Sequence, residues 1–322
     1  MSKKFYSLGT AFMHLEKNLY SIDKKLLVQA GTIINSSTLK NIAGSSGKIR
    51  YVPIKNTPIF TDWIHTFKDK RYSDILYPPE INLKIISYIR RIKMPDKILT
   101  ELAYMKEVSP YTYNHSLTIA VLAAKIALDL SLKNKYAPDM ALRLSLFHDL
   151  GKSRIPLSIL NKRSPITMDE RRILKTHPLI GYVLLHYYFG KDCKSVAFSS
   201  FQHHERLDGS GYPLRIKRLN KYSHLIGIVD TLDALISERP YRKSPFSLRA
   251  AIDLLLDESE KGRFHKGLIH ILIRYARKER PCSKLVIAER GRDKEPAGNS
   301  YGKTAPSHPR KTLRKQTAIL DK

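Results

Sequence analysis

The chain has 322 residues, of which 42% are hydrophobic; this predicts a globular protein, and no apolar run is long enough to span a membrane. Lys and Arg number 57 against 29 Asp and Glu, so the formal charge of +28 favours phosphate-bearing ligands. The basic residues are scattered along the chain, which indicates a solvated surface and not a nucleic-acid site. The two cysteines have neither disulfide nor metal spacing and no secretory signal is present, so we expect a cytoplasmic protein.

Residues 1–75 predict a small β-rich domain with a regulatory or structural role. Short apolar runs alternate there with turn residues, and residues 48–54 resemble a strand. Before that strand, the sequence predicts a short helix that Ser36 or Ser37 caps and Gly44 ends.

From about residue 80 the apolar residues follow the helical period, and residues 80–278 predict one helical domain. One helix is expected to start near Tyr113, and another to start at Pro138 and end where Gly151 supplies a permissive residue. Residues 279–322 contain eleven basic and five acidic residues among many Gly, Pro and Ser, which predicts a disordered basic tail.

His148 and Asp149 follow a run of apolar residues, so both side chains are expected in a buried environment. A buried, unpaired carboxylate costs several kcal/mol, and a divalent cation is the usual compensation. A His-Asp pair alone is weak support for a metal site, because the two side chains can also form a purely structural hydrogen bond.

A second element, the segment HHERLDGSGYP, contains the adjacent pair His203 and His204. Two imidazoles in succession can serve two metal ions, although a solvated pair is the ordinary alternative. Gly209 and Gly211 allow positive φ and close backbone approach, and Tyr212 offers a flat face with a hydroxyl group. Such a loop suits a planar base or a phosphodiester.

Six blocks of sequence share their order with one known family. They are NHS at 114–116, FHDLGK at 147–152, HP at 177–178, HHERLDGSGYP at 203–213, DTLDA at 230–234 and RPYR at 239–242. In these blocks the chain resembles the HD-GYP family of the HD phosphohydrolase superfamily. The resemblance implies a mainly α fold, an HD-type helical bundle behind the small N-terminal β-rich domain. It also implies two or three metal ions, often iron or manganese, and hydrolysis of the bacterial messenger cyclic di-GMP.

Position by position, the resemblance implies seven metal ligands. They are His115, His148, Asp149, His177, His203, His204 and Asp230. Asp149 is expected to bridge two ions and, with Lys152, to be catalytic. Lys152, Tyr212, Arg239 and Arg242 are expected to contact the substrate, since a guanidinium group can bind two phosphate oxygens.

The chain also departs from the family pattern. Tyr111 stands where some members have a glutamate associated with a third metal, so we expect two divalent ions, iron or manganese. His224 replaces a common arginine and His265 replaces an acid, which concerns substrate fit more than metal binding. Asp208 and Asp233 recur in these motifs and are expected to steady imidazoles and loop backbone.

The resemblance therefore implies a binuclear phosphodiesterase that converts cyclic di-GMP to the linear dinucleotide, to GMP, or to both. Two alternatives stay open: the same site acting on another phosphorylated nucleotide, and a non-hydrolytic module that responds to cyclic dinucleotides through protein contacts. Protein partners would bind the N-terminal domain or the basic tail.

Overall fold

The structure, a computed structural model, describes residues 13–130, 137–238 and 244–277. The predicted tail at 279–322 and the predicted substrate contacts Arg239 and Arg242 lie outside these ranges.

Two short antiparallel strands, β1 (Leu19–Tyr20) and β2 (Leu26–Val28), precede helix α1 (Ser36–Gly44). The predicted helix is confirmed, but its cap is Asn35, not Ser36 or Ser37. The Asn35 side-chain oxygen accepts hydrogen bonds from two backbone N–H groups of the first turn, which no intrahelical carbonyl can satisfy.

The strand predicted at 48–54 is shorter in the structure. It forms β3 (Tyr51–Pro53), which pairs antiparallel with β4 (Lys93–Pro95). Helix α2 (Pro58–His65) buries Trp63, whose indole N–H donates to the carbonyl of Leu117 at 3.2 Å. Because this pairing and the continuous apolar core join the N-terminal residues to the helical region, the division near residues 75–80 stays a prediction.

The rest of the described chain is almost entirely helical. The helices are α3 (Pro79–Arg91), α4 (Asp96–Val108), α5 (Pro110–Leu130), α6 (Pro138–Leu146), α7 (Leu157–Leu160), α8 (Met168–Leu174), α9 (His177–Phe189), α10 (Lys194–Gln202), α11 (Lys221–Ile236), α12 (Leu248–Glu260) and α13 (Lys266–Ala276). The mainly α fold class is thus confirmed. Among these helices, none combines the length and the apolar character that crossing a bilayer requires.

Helix α5 lies at the centre of the bundle. It packs against α4, α6 and α11, and its residues are buried on nearly every side. A helix with apolar residues all round is stable only inside a core. The helix begins at Pro110, three residues before the predicted start at Tyr113, and it carries His115 into the middle of the protein.

The helix predicted to run from Pro138 to Gly151 ends early, so that prediction was wrong. Helix α6 ends at Leu146, and a 3₁₀ turn over Leu150–Arg154 follows. Gly151 is needed for close packing and not for a helix end: a Cβ atom there would lie 2.0 Å from the carbonyl oxygen of His177. His148 and Asp149 therefore lie in a tight turn pressed against the start of α9.

We expect Gly151→Ala to lower the free energy of unfolding by about 1–3 kcal/mol, because the added methyl group has no space in a packed core. Urea unfolding of the full chain, followed by circular dichroism, measures this change. Gly44→Ala is the matched control, since a Cβ atom there meets nothing within 4 Å. Equal stability of the two variants would contradict the close packing.

Candidate metal centre

The seven side chains selected from the sequence converge on one cluster. His115 comes from α5, His148 and Asp149 from the turn after α6, His177 from the first residue of α9, His203 and His204 from the turn after α10, and Asp230 from α11. All are buried except Asp230, whose side chain is 15% exposed. Their ligand atoms form three overlapping groups, within each of which all atoms lie within 4.8 Å of one another.

Asp149 lies between two pairs of histidines. Its Oδ1 atom is 3.2 Å from Nε2 of His177 and 3.7 Å from Nε2 of His203. Its Oδ2 atom is 3.4 Å from Nε2 of His148 and 3.7 Å from Nε2 of His115. Each carboxylate oxygen thus faces its own pair of imidazoles, which is the arrangement a bridging carboxylate needs.

Asp230 and His204 complete the two sides of the cluster. Asp230 Oδ1 lies 3.1 Å from Nε2 of His115 and 3.9 Å from Nε2 of His148. The ring of His204 lies on the other side, with its centroid 4.0 Å from that of His203 and 5.0 Å from that of His177.

Three of the imidazoles are fixed from behind by the backbone. In each, Nδ1 lies 2.7 Å from the carbonyl oxygen three residues earlier, and a carbonyl can only accept a hydrogen bond. The pairs are His148 with Ser145, His177 with Leu174, and His203 with Ser200. The ring proton is therefore on Nδ1, and the Nε2 lone pair of each ring points into the cluster.

The charge states suit metal binding. Burial lowers the pKa of His177 and holds the pKa of His204 well below its usual range. It also lowers the pKa of His203 to about 4, so all three imidazoles are neutral at pH 7. Burial opposes ionisation of Asp149 as well, but the positive charge of Lys152 is the main effect that outweighs burial and holds the pKa of that carboxyl well below its usual range.

The pKa of His115 shifts in the opposite direction. Burial opposes its protonation, but the carboxylates of Asp233 and Asp230 outweigh burial and raise its pKa to about 9. This half of the cluster therefore favours positive charge, which a bound cation can supply in place of the proton.

The cluster passes a physical test for a cation. Nε2 of His177 lies 3.2 Å from Asp149 Oδ1 and 3.3 Å from Nε2 of His203, and neither neutral ring has a proton at that nitrogen. Lone pairs facing one another at these distances repel. In the described part of the chain, His148 Nε2, Asp149 Oδ1 and His204 Nε2 are buried without a hydrogen bond, each at a cost of about 1–3 kcal/mol. A bound cation can compensate all of them, and imidazole nitrogens and carboxylate oxygens are common donors to divalent metal ions.

The predicted catalytic lysine contacts the cluster directly. Lys152 Nζ lies 2.6 Å from Asp149 Oδ2, with its side chain 15% exposed. It therefore neutralises part of the charge on Asp149 and still reaches the surface of the site.

Residues 203–213 form a loop that covers one side of the cluster. The ring of Tyr212 stacks on His204 at 4.6 Å between centroids, and Lys175 Nζ lies 4.7 Å from the same ring. Gly209 has the expected positive φ of 84°. At Gly211 the requirement is close approach, since a Cβ atom would lie 2.4 Å from Cα of Glu205.

Sequence reasoning missed Glu205, which holds this loop. Its carboxylate accepts hydrogen bonds from the backbone N–H groups of Leu214 at 2.6 Å, Arg215 at 3.1 Å and Ile216 at 3.1 Å. The sequence signal for this role was the position of an acidic residue directly after the two histidines. Asp208 lies away from the cluster and accepts hydrogen bonds from the backbone and hydroxyl of Ser210.

A cavity of about 640 Å³ opens beside His115. Its lining includes Asn114, Asp233, Lys68 and Arg71. This volume lies within the range of about 300–1,000 Å³ that is typical of small-molecule sites.

The family model described as "HD domain" matches residues 90–267, more than half of the chain. The chain belongs to the HD domain family. All seven clustered residues lie inside the matched range, which confirms the resemblance derived from the six sequence blocks.

Curated relatives of the HD domain include three phosphodiesterases. A cyclic di-GMP phosphodiesterase of Pseudomonas aeruginosa is 32% identical over 158 residues, 47% of this chain and 36% of the relative. A cyclic di-GMP phosphodiesterase response regulator of Xanthomonas campestris is 36% identical over 145 residues, 44% of this chain and 38% of the relative. The 3'3'-cGAMP-specific phosphodiesterase 1 of Vibrio cholerae is 32% identical over 168 residues, 52% of this chain and 38% of the relative.

This chain thus spans little more than a third of the length of these relatives. Among solved structures, the HD domain of an L. monocytogenes phosphodiesterase in complex with cyclic di-AMP aligns with a TM-score of 0.41. That alignment covers 59% of this chain and 95% of the other, at 19% identity.

We expect Glu205→Gln to loosen the HD-domain loop, because one carboxylate oxygen becomes an amide donor that faces a backbone N–H group. The cost is about 1–3 kcal/mol of local stability. Hydrogen exchange of the Leu214 and Ile216 amides should accelerate. Glu107→Gln, at an exposed position on α4, is the control and should leave exchange unchanged. Unchanged exchange in both variants would contradict the role of Glu205.

Proposed function

We propose that the HD domain is a binuclear metal-dependent phosphodiesterase that hydrolyses cyclic di-GMP to the linear dinucleotide, to GMP, or to both. The observation that carries the proposal is the set of unprotonated nitrogens and carboxylate oxygens that face one another around Asp149. Relatives of the same family named as cyclic-dinucleotide phosphodiesterases support the substrate class.

Asp149 would bridge two divalent ions, with iron or manganese as the proposed metals. One ion would be held by Asp149 Oδ1 with His177, His203 and His204, which form one of the three groups of close ligand atoms. The other would be held by Asp149 Oδ2 with His115, His148 and Asp230. When bound, such ions supply positive charge to the phosphoryl group and an activated water at neutral pH.

The residues of the chain would do the positioning. The backbone bonds to Nδ1 hold His148, His177 and His203 in the tautomer that binds metal, so these three rings need not change tautomer on loading. Lys152, paired with Asp149 at the edge of the cluster, would contact a phosphoryl oxygen and stabilise the charge that develops there. Arg239 and Arg242 remain predicted phosphate contacts, and the partly buried Tyr212, stacked on His204, would border the substrate.

The size of the cavity beside His115 supports a dinucleotide substrate. Its volume is about 640 Å³, and its wall has both basic residues, Lys68 and Arg71, and acidic ones, among them Asp62 and Asp69. The formal charge of +28 would attract a substrate with two phosphates. A second candidate is 3'3'-cGAMP, favoured by the similarity to the Vibrio cholerae enzyme specific for that compound.

We expect the double variant His148→Ala plus Asp149→Ala to lose both metal loading and hydrolysis, because it removes the proposed bridge and a ligand beside it. Elemental analysis of anaerobically purified protein and a turnover assay measure the two losses, and circular dichroism checks that the helices remain. His186→Ala is the control, since that imidazole also contacts a carbonyl through Nδ1, at 2.8 Å, but belongs to none of the three ligand groups. Retained turnover in the double variant would refute the assignment.

A substrate panel separates the candidate activities. Protein loaded with iron or manganese under reducing conditions is assayed with cyclic di-GMP, 3'3'-cGAMP and cyclic di-AMP. We expect the highest kcat/KM for cyclic di-GMP. A higher value for 3'3'-cGAMP would favour the second candidate, and binding of cyclic di-GMP without product would favour the non-hydrolytic module.

A further inference from the structure

A short segment outside the matched HD domain contacts Asp233, the side chain that supports His115 of the cluster. Tyr72 ends a 3₁₀ turn over Lys70–Tyr72, ahead of the matched range, and is fully buried. Its hydroxyl group donates a hydrogen bond to Asp233 Oδ1. The other oxygen of the same carboxylate, Oδ2, lies 2.6 Å from Nδ1 of His115. One carboxylate therefore connects the segment to His115.

Arg71 strengthens this connection along a second path. Its Nη1 group donates to Ser237 Oγ at 2.6 Å, and Ser237 Oγ donates to Asp233 Oδ1 at 2.9 Å. The Asp69 carboxylate accepts hydrogen bonds from Nε and Nη2 of Arg71 and thereby fixes the guanidinium group. Asp233 Oδ1 thus receives two hydroxyl donors, and the placement of both depends on residues 71 and 72.

His115 needs this support more than its neighbours do. Nδ1 of His148, His177 and His203 is held by a backbone carbonyl of the same local turn. Nδ1 of His115 instead faces a side chain, Asp233, which can rotate when its own partners are lost. Burial, followed by the nearby Asp233 carboxylate, raises the pKa of Tyr72, so the phenol keeps its proton and remains a donor.

We propose that Tyr72 and Arg71 are positioning residues for the metal centre: through Asp233 they orient His115 and set the affinity of the ion that His115 holds. This inference rests on the proposed function, in which His115 is a metal ligand. The segment ahead of the HD domain then contributes to the geometry of the metal centre. Partners that hold a ligating histidine from behind typically contribute tenfold to a hundredfold in metal affinity.

The test is a Mn²⁺ titration of the metal-free full chain in competition with a chelating dye. For Tyr72→Phe we expect binding at one of the two sites to weaken by about tenfold to a hundredfold, with the other site unchanged. A purely structural defect would weaken both sites. Tyr275→Phe is the matched control: its buried hydroxyl also donates to a carboxylate, that of Asp129 at 2.6 Å, away from the cluster, and this variant should bind as the unchanged protein does.

Arg71→Gln provides a second variant that does not disturb the core, because the Arg71 side chain is 43% exposed. It should weaken the same single site severalfold, and it decides the question if Tyr72→Phe fails to fold. If Tyr72→Phe binds Mn²⁺ as tightly as Tyr275→Phe does, the positioning role is overturned while the proposed function stays intact. If Tyr72→Phe is unfolded, the same comparison is made with Arg71→Gln. An unchanged chain that binds no Mn²⁺ would instead contradict the proposed function itself.

Discussion

The structure depends on one unfavourable contact, the approach of unprotonated imidazole nitrogens to the buried carboxylate of Asp149. Nε2 of His177 and Asp149 Oδ1 are 3.2 Å apart. The ring proton of His177 lies on the opposite nitrogen, Nδ1, which donates it to a backbone carbonyl. Without a positive charge between them these atoms repel, so the fold must hold them together, and a bound cation can compensate the repulsion. The buried helix α5 and the close packing at Gly151 supply that force.

Two kinds of support surround this contact, and they differ in origin. The three histidines with carbonyl partners are held by local turns, so each ring is fixed by residues within its own segment. His115 is held by Asp233, and Asp233 is in turn held by Tyr72 and, through Ser237, by Arg71. His148, His177 and His203 are therefore supported within their own turns, whereas the support of His115 depends on contacts between distant parts of the chain. That difference makes the His115 half the natural place for adjustment of metal affinity.

Much of the site could be predicted from the sequence, because its clustered side chains lie in short motifs whose order is recognisable. Cap and stop residues also predicted α1, and the helical period predicted the central helix containing His115. The early end of α6 was missed because Gly151 indicated a helix terminus, whereas its real requirement is contact with α9, which no local pattern reveals. Tyr72 was missed for the same reason: its partner Asp233 is 161 residues away, and a buried tyrosine has no sequence signal of its own. Glu205 lay within the motif, but its three backbone partners depend on how the loop folds back.

Anomalous X-ray diffraction from crystals of the full chain grown with Mn²⁺ would locate the bound ions. We expect two peaks, one on each side of the Asp149 carboxylate, the first beside His177, His203 and His204 and the second beside His115, His148 and Asp230. A single peak, or peaks that leave the Asp149 carboxylate without a metal contact, would contradict this expectation.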